Sequence, residues 1–465
     1  MRQVRIKSLV AILTLIAAGM LRAETIIPAK LSLNDAVRLS MGLNVSLKSA
    51  VEAQKASLSD LRIAKFNTSY SAGSNLNIQH SSSSSGLSQL IFSDLNYANP
   101  IGTEAVLRLS PFGAGNQFGS VGLLVRQPLL KGKGNLSTRG VQLLSAQSDV
   151  TIRNHDLYRA QQTTVMNVIE GYYGALLARE RLKIQEGAVT IAQEVADGTR
   201  KREAAGLLTG IQVTRADFNV ARTKDAFNIQ TQSTRGSLDR LMLAIGGGIG
   251  ETPELTDSLP EVVPDPPTLE EAIKTALIKR VELRVLDERI ANQTRDLAVR
   301  KDAFRPGLNA VARFDSTNPD TGLISGSLFD MGSTVLGVEF NVPLDQRALR
   351  ENRDTAERAL AVLREQQNFE MDQITEEVRG AYRDVEMAKL SFQIYGQNLA
   401  VAEDGLHLAK RMVEEGEGSN RDILDAQDAL TSTQSGVLSA KTDLYLAGVR
   451  LRYAMGEDLT TMGSK

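Results

Sequence analysis

At 465 residues the chain has room for roughly two to four domains, yet aromatics make up only 5% and Trp is absent, which argues against one large compact core. A formal net charge of −2 disfavours nucleic acid as a partner. Cys is missing throughout, which excludes disulfides, zinc–thiolate sites, thiol catalysis and a lipidated N-terminal Cys.

Taken in order, the chain opens with Arg2, Arg5 and Lys7 ahead of an apolar run at 9–21. That run is too short to span a bilayer, so residues 1–23 read as a secretory signal peptide cut after Ala23. Losing its four basic residues takes the net charge from −2 to −6. A first structural repeat is predicted over 24–246. It starts with a helix from about Leu31 to Lys65. The period then changes: over 66–80, Phe66, Tyr70, Ala72, Leu76 and Ile78 alternate with Asn67, Ser69, Asn75, Asn77 and Gln79. Such alternation predicts a long two-faced strand. A Ser-rich loop is expected at 80–103, followed by strand pattern at 104–110 and 120–126, counted as one strand over 104–126, that Pro128 stops. Helices follow at about 137–200 and 210–245, around a reversal near Gly206. Residues 247–267, with Gly246–Gly250 close by and five prolines, predict a linker.

The second repeat, 268–465, retraces the first. Leu269-Glu-Glu-Ala-Ile273 matches Leu33-Asn-Asp-Ala-Val37, and Val342-Pro-Leu344 matches Gln127-Pro-Leu129. Strands are predicted at about 307–315 and 334–342, and helices at about 350–414 and 420–455. The longer helix carries apolar residues in steps of three and four: Met371, Ile374, Val378, Ala381, Val385, Ala388, Phe392, Tyr395, Leu399, Ala402, Leu406 and Ala409. A heptad seam of that length is a coiled-coil signature. A second seam (Met387, Leu390, Ile394, Val401, Leu408) gives the helix neighbours on two sides. At 1.5 Å per residue such a rod is about 95 Å long, far beyond the needs of a catalytic domain. Duplication in order and spacing over this length is itself a strong signal.

Four two-faced strands cannot close a membrane barrel alone, and an open edge is not tolerated in lipid, so several copies must pool their strands. With the signal peptide and the long helices, this points to a Gram-negative outer membrane and the periplasm beneath it. A small soluble α+β protein fits poorly, because a four-stranded sheet has no need of such helices.

From about Leu31 to Leu459 the chain resembles the TolC family of outer membrane efflux proteins. The resemblance rests on the duplicated Leu-x-x-Ala-(Val/Ile) starts, Gln127-Pro-Leu129, Val342-Pro-Leu344, Gly206-Leu207 and Asp422-Ile-Leu-Asp-Ala426. It implies a mainly α protein with membrane β: a homotrimer whose 12-stranded β-barrel, in outer-membrane lipid, continues as a 12-helix α-barrel. The implied role is the channel of a tripartite efflux or type I secretion system, with a periplasmic adaptor and an inner-membrane pump as partners. An alternative is a periplasmic adaptor or structural coiled coil, which leaves the duplicated strands without a purpose.

The resemblance places Asp422 and Asp425 at a pore constriction, where rings of Asp favour cations. Read from the residues alone, they form a solvated helix face with Arg421 pairing to Asp425. Where the family carries a latching Arg this chain has Gly418, and where it offers an Asp partner the chain has Gln212. Arg421, Gln212 and Gly418 are therefore the possible gate contacts, beside the Glu414, Glu415 and Glu417 cluster. The reversals holding Gly206, Leu207, Leu208 and Thr209, and Gly416 and Ser419, are expected to dock the adaptor. His80, His155 and His407 have no metal-ligand spacing. The chain carries no phosphate loop, HExxH or nucleophile elbow, so no enzyme activity, cofactor or metal is expected.

Overall fold

The computed structural model describes residues 27–80, 87–112, 118–248, 250, 252–259, 266–317 and 332–460. The expected signal peptide lies outside them. In chain order the elements are β1 (Lys30–Leu31), α1 (Leu33–Leu43), α2 (Val45–Asn67), β2 (Tyr70–His80), β3 (Leu87–Ala98), β4 (Glu104–Phe112), β5 (Phe118–Pro128), α3 (Thr138–Ala204) and α4 (Gly210–Ile245). The second half continues with β6 (Glu254–Leu255), α5 (Leu269–Lys279), α6 (Val281–Asp302), β7 (Gly307–Thr317), β8 (Gly332–Asn341), α7 (Arg347–Glu415) and α8 (Asn420–Ala454). No described helix is long and apolar enough to cross a membrane.

The elements sort into two compact units. One contains residues up to Lys48, Gln161–Ile273 and Glu377–Lys465; the other contains Ser49–Ala160 and Lys274–Glu376.

In the first unit α1 starts where the side chain of Ser32 accepts the Asp35 N–H at 3.1 Å, an N-cap. The expected single helix from Leu31 to Lys65 is broken at Asn44. That side chain accepts the Leu47 N–H and donates to the carbonyl of Ala244, so it ends one helix, starts the next and ties both to α4. The expected linker is partly structured, because β6 pairs in parallel with β1. Around this pair sits the core: Leu31 and Leu255, with Val165, Ile169, Tyr172 and Leu176 of α3, Leu241 and Ile245 of α4, and Leu446 and Val449 of α8. The Tyr172 hydroxyl lies 2.9 Å from a carboxylate oxygen of Asp257 and 3.0 Å from the Leu31 carbonyl, giving the buried polar group its partners.

The second unit holds a six-stranded antiparallel sheet in the order β2-β3-β4-β5-β7-β8. Two sequence expectations are corrected here. The strand patterns at 104–110 and 120–126, counted as one strand 104–126, are two strands, β4 and β5, and the expected Ser-rich loop contains β3. Register then sorts the side chains. Asp94, Glu104, Arg108, Arg126, Arg313, Asp315 and Glu339 all fall on one face of the sheet. Three ion pairs form there: Asp94 with Arg108 at 2.9 Å, Arg126 with Glu339 at 2.6 Å and Arg313 with Asp315 at 2.9 Å. The other face presents Leu95, Leu107, Leu123, Val125, Phe314, Leu336, Val338 and Phe340, and Leu336, Val338 and Phe340 are strongly exposed. An exposed apolar face opposite a charged one is the pattern of a barrel wall between lipid and water.

The two seams of α7 part company. Ile374, Val378, Val385, Leu406 and Ala409 of the first are buried. Met387, Leu390, Ile394, Val401 and Leu408 of the second stay 48–71% exposed in the single chain.

Candidate functional site: the helix reversals

Both reversals lie in the first unit, and the fold builds them by the same rules. Gly206 ends the first with φ +78°, and Gly416 ends the second with φ +82°. The backbone is left-handed at both, a conformation that costs a side-chain-bearing residue about 1–2 kcal/mol. After each glycine the next amide reaches back to close the helix: Leu207 N–H donates to Arg202 at 2.9 Å, and Glu417 N–H donates to Met412 at 2.9 Å. Thr209 and Ser419 then cap the following helices as a pair. In α4 the Gln212 side chain accepts the Thr209 N–H at 3.3 Å. In α8 an Asp422 oxygen accepts the Ser419 N–H at 2.7 Å and its hydroxyl at 2.9 Å. Gln212 and Asp422 are thus duplicates of one slot, neutral in the first repeat and acidic in the second. Leu207 projects into solvent while Leu208 is half-buried.

Asp422 and Asp425 share an exposed stripe of α8 that flanks the buried Ile423 and Leu430. The Ser419 amide, then its hydroxyl, hold the Asp422 carboxyl below the usual carboxylate range, with Arg421 adding attraction. Asp425 lies 3.5 Å from Arg421, with side chains 70% and 80% exposed. Asp422 is therefore charged at neutral pH, and both side chains face water. The expected gate contacts are occupied locally: Arg421 along its own helix, Gln212 in its cap. Gly418 is closed in, since a Cβ there would sit 3.0 Å from the Cβ of Met412 and 3.1 Å from the amide nitrogen of Val413.

Contacts between helices come from residues that the sequence reading did not single out. Arg222 of α4 bonds Asp428 of α8 at 2.5 Å, with side chains 52% and 53% exposed. Arg200 of α3 bonds Asp217 of α4 at 2.5 Å. Asn420, the first residue of α8, donates to the Thr199 hydroxyl of α3 at 2.6 Å. Asp428 sits two residues after Ala426, three beyond Asp425 on the same stripe, so the i, i+3 spacing that picked out Asp422 and Asp425 could have been carried one step further. Its partner on another helix has no signature in the local sequence.

A mainly helical chain that carries a two-faced antiparallel sheet and twinned helix reversals belongs to a recognisable class of membrane channel scaffold. Comparison with known proteins narrows this: the family model described as "Outer membrane efflux protein" matches residues 71–247 and 272–457. The chain belongs to that family, a family of the Gram-negative outer membrane. It is similar to the alkaline protease secretion protein AprF of Pseudomonas aeruginosa, at 23% identity over 64% of this chain and 63% of that one, under two thirds of AprF's length. It is also similar to the outer membrane efflux protein BepC of Brucella suis, at 21% identity over 73% and 72% of the two chains, and to the cobalt-zinc-cadmium resistance protein CzcC of Cupriavidus metallidurans, at 23% identity over 67% and 73%. Among solved structures, CusC superposes with a TM-score of 0.72 at 14% identity over 92% of each chain. VceC of Vibrio cholerae gives 0.70 at 16% identity over 91% and 96%. These structural likenesses establish the fold.

Proposed function

We propose that three copies of this chain form a passive exit duct across the outer membrane and periplasm. Their strands pool into one barrel, and α3, α4, α7 and α8 of each copy make a twelve-helix tunnel beneath it. The resemblance implied twelve strands, four per copy, whereas the described sheet offers six per copy. The observation that carries the reading is the second seam of α7, left in water beside a first seam that is buried at Ile374, Val378, Val385, Leu406 and Ala409. An apolar stripe of that length needs a neighbouring helix, and another copy of this chain supplies one. The open outer strands β2 and β8 ask for the same neighbour.

Asp422 and Asp425 line the tunnel's entrance in this reading, where their rings favour cations. An adaptor docks on the reversals around Gly206, Leu207, Leu208 and Thr209, and around Gly416 and Ser419, and the tip helices splay when it does. The Arg222–Asp428 bond, with Asn420–Thr199, holds α8 to its neighbours until then. Energy comes from an inner-membrane pump, and the duct does no chemistry of its own. The relatives' names speak of protease secretion in one case and metal resistance in another, which supports a scaffold whose cargo is chosen elsewhere in the assembly. Detergent extracts of the outer-membrane fraction should give a heat-sensitive trimer on a mild gel, and a monomer recovered from soluble periplasm would refute the duct.

A further inference from the structure

Resting on the trimeric duct just described, we infer that its membrane wall has eighteen strands, six from each copy, and is wider than a twelve-stranded barrel. The observation is the position of the hairpin β3–β4. The other four strands each adjoin a helix: β2 follows α2, β5 leads to α3, β7 follows α6 and β8 leads to α7. The hairpin adjoins none, yet it lies inside the sheet, between β2 and β5. Its ladders are continuous on both sides. β2 pairs with β3 from Tyr70 opposite Tyr97 to His80 opposite Leu87, and β4 pairs with β5 from Glu104 opposite Arg126 to Phe112 opposite Phe118.

The turn of the hairpin, 99–103, is built into the elbow where β5 passes into α3. The Ser137 hydroxyl donates to the Pro100 carbonyl at 2.6 Å, and the Gly134 N–H donates to Ile101 at 2.9 Å. Thr103 bonds the Gln127 side chain. Gly102, at φ +101°, fits so closely that a Cβ would lie 2.8 Å from Pro128 and 2.9 Å from the Gly132 carbonyl. The hairpin also keeps the wall's phase. Leu95, Tyr97, Ala105 and Leu107 share the apolar face with Leu123 and Leu336, while Asp94, Asn96, Glu104 and Arg108 share the charged face. A plug folded into water, or a flap outside the wall, has no use for that agreement.

Closure follows from direction. In an alternating six-stranded sheet the first and last strands run opposite ways, so β8 of one copy meets β2 of the next antiparallel. The ring then closes on an even number of strands with no edge left in lipid. Diameter grows roughly linearly with strand number, so an eighteen-stranded ring is about 1.5 times as wide as a twelve-stranded one and falls among barrels that leave an aqueous channel. The charged face then lines water with mostly paired acids and bases, and passes cargo of either sign. Selection is left to the reversals.

The absence of Cys allows a direct test on the full chain. Single variants Leu95→Cys and Leu107→Cys on the hairpin, Asn96→Cys on its other face, and Leu336→Cys as a wall reference are challenged in outer-membrane vesicles with a membrane-impermeant maleimide. Alongside, the trimer is imaged in lipid nanodiscs by electron cryomicroscopy and its strands are counted. Expected are Leu95→Cys and Leu107→Cys as unreactive as Leu336→Cys, a reactive Asn96→Cys, and eighteen strands. Labelling of Leu95→Cys and Leu107→Cys at the rate of Asn96→Cys, or a twelve-stranded ring with the hairpin outside it, overturns the inference while the duct stands. No trimer in the membrane at all removes the duct and this wall together.

Discussion

Arg222→Ala should open the duct. The bond it removes spans α4 and α8 at 2.5 Å, and both side chains are about half exposed. Exposed pairs of this kind contribute about 0.2–1 kcal/mol each. If the three copies splay together, their losses add to about 0.6–3 kcal/mol, which raises the open-to-closed ratio about 3- to 150-fold at 1.4 kcal/mol per tenfold. Single-channel recording in a planar bilayer reads that ratio as open probability. Asp428→Asn should act alike, and the double variant should add nothing beyond either single one, because both delete the same contact. Salt should shrink the difference, since exposed charges are screened within a Debye length of about 10 Å at 0.1 M. An unchanged open probability, or a fully additive double variant, would refute the latch. Arg222 also bonds Asn219 on its own helix at 2.9 Å, so Asn219→Ala serves as a control that should leave gating alone.

Three further outcomes are expected. Asp422→Asn with Asp425→Asn should weaken cation preference in the same bilayers; Asp425→Asn by itself should cost only a few tenths of a kcal/mol in stability, given its exposed i, i+4 pair, and unaltered reversal potentials would take both residues out of the pore. The sequence comparison makes Gly418→Arg a closing mutation, whereas the 3.0 Å approach to Met412 predicts a distorted reversal first, read as accelerated proteolysis at 415–419 in the variant and not in wild type. Tyr172 and Tyr173 are pushed above the ordinary tyrosine range, first by burial and then by hydrogen bonds to Asp257 and Tyr445 respectively. Because the folded state holds these protons more tightly, their contribution is complete below about pH 10, the unfolded value, and is lost as the pH rises above it. Tyr172→Phe should therefore lower stability at neutral pH by about 1–3 kcal/mol and flatten the alkaline loss in a denaturant titration; an equally steep loss in the variant would count against the assignment.

Periodicity makes most of this fold legible in the sequence. The seams of α7, the alternation in β2 and β7 and the matched halves come from side-chain spacing that elementary geometry turns into helices and strands. β3 escaped because its neighbourhood is rich in Ser and because Leu90, Ile91 and Phe92 run together, which hides the two-residue period. The ladder is irregular at the same place. Ile91 pairs with Phe112 but Ser93 with Leu109, so β4 carries one residue more than β3 beside Pro111, whose ring has no N–H to donate. At the reversals, glycine and the cap residues were visible as local chemistry. Arg222–Asp428 and Asn420–Thr199 were not, since a bond between helices depends on their relative rotation, and no window of sequence contains both partners.

The matched slots of Gln212 and Asp422 have a consequence for whatever meets the tips. In the proposed trimer, three copies present six nearly equivalent reversals, but a carboxylate caps only every second one. The rim is sixfold in shape and threefold in charge. A partner ring whose six fingers share one shape but alternate in charge can therefore seat in two orientations 60° apart, and only one of the two is neutralised.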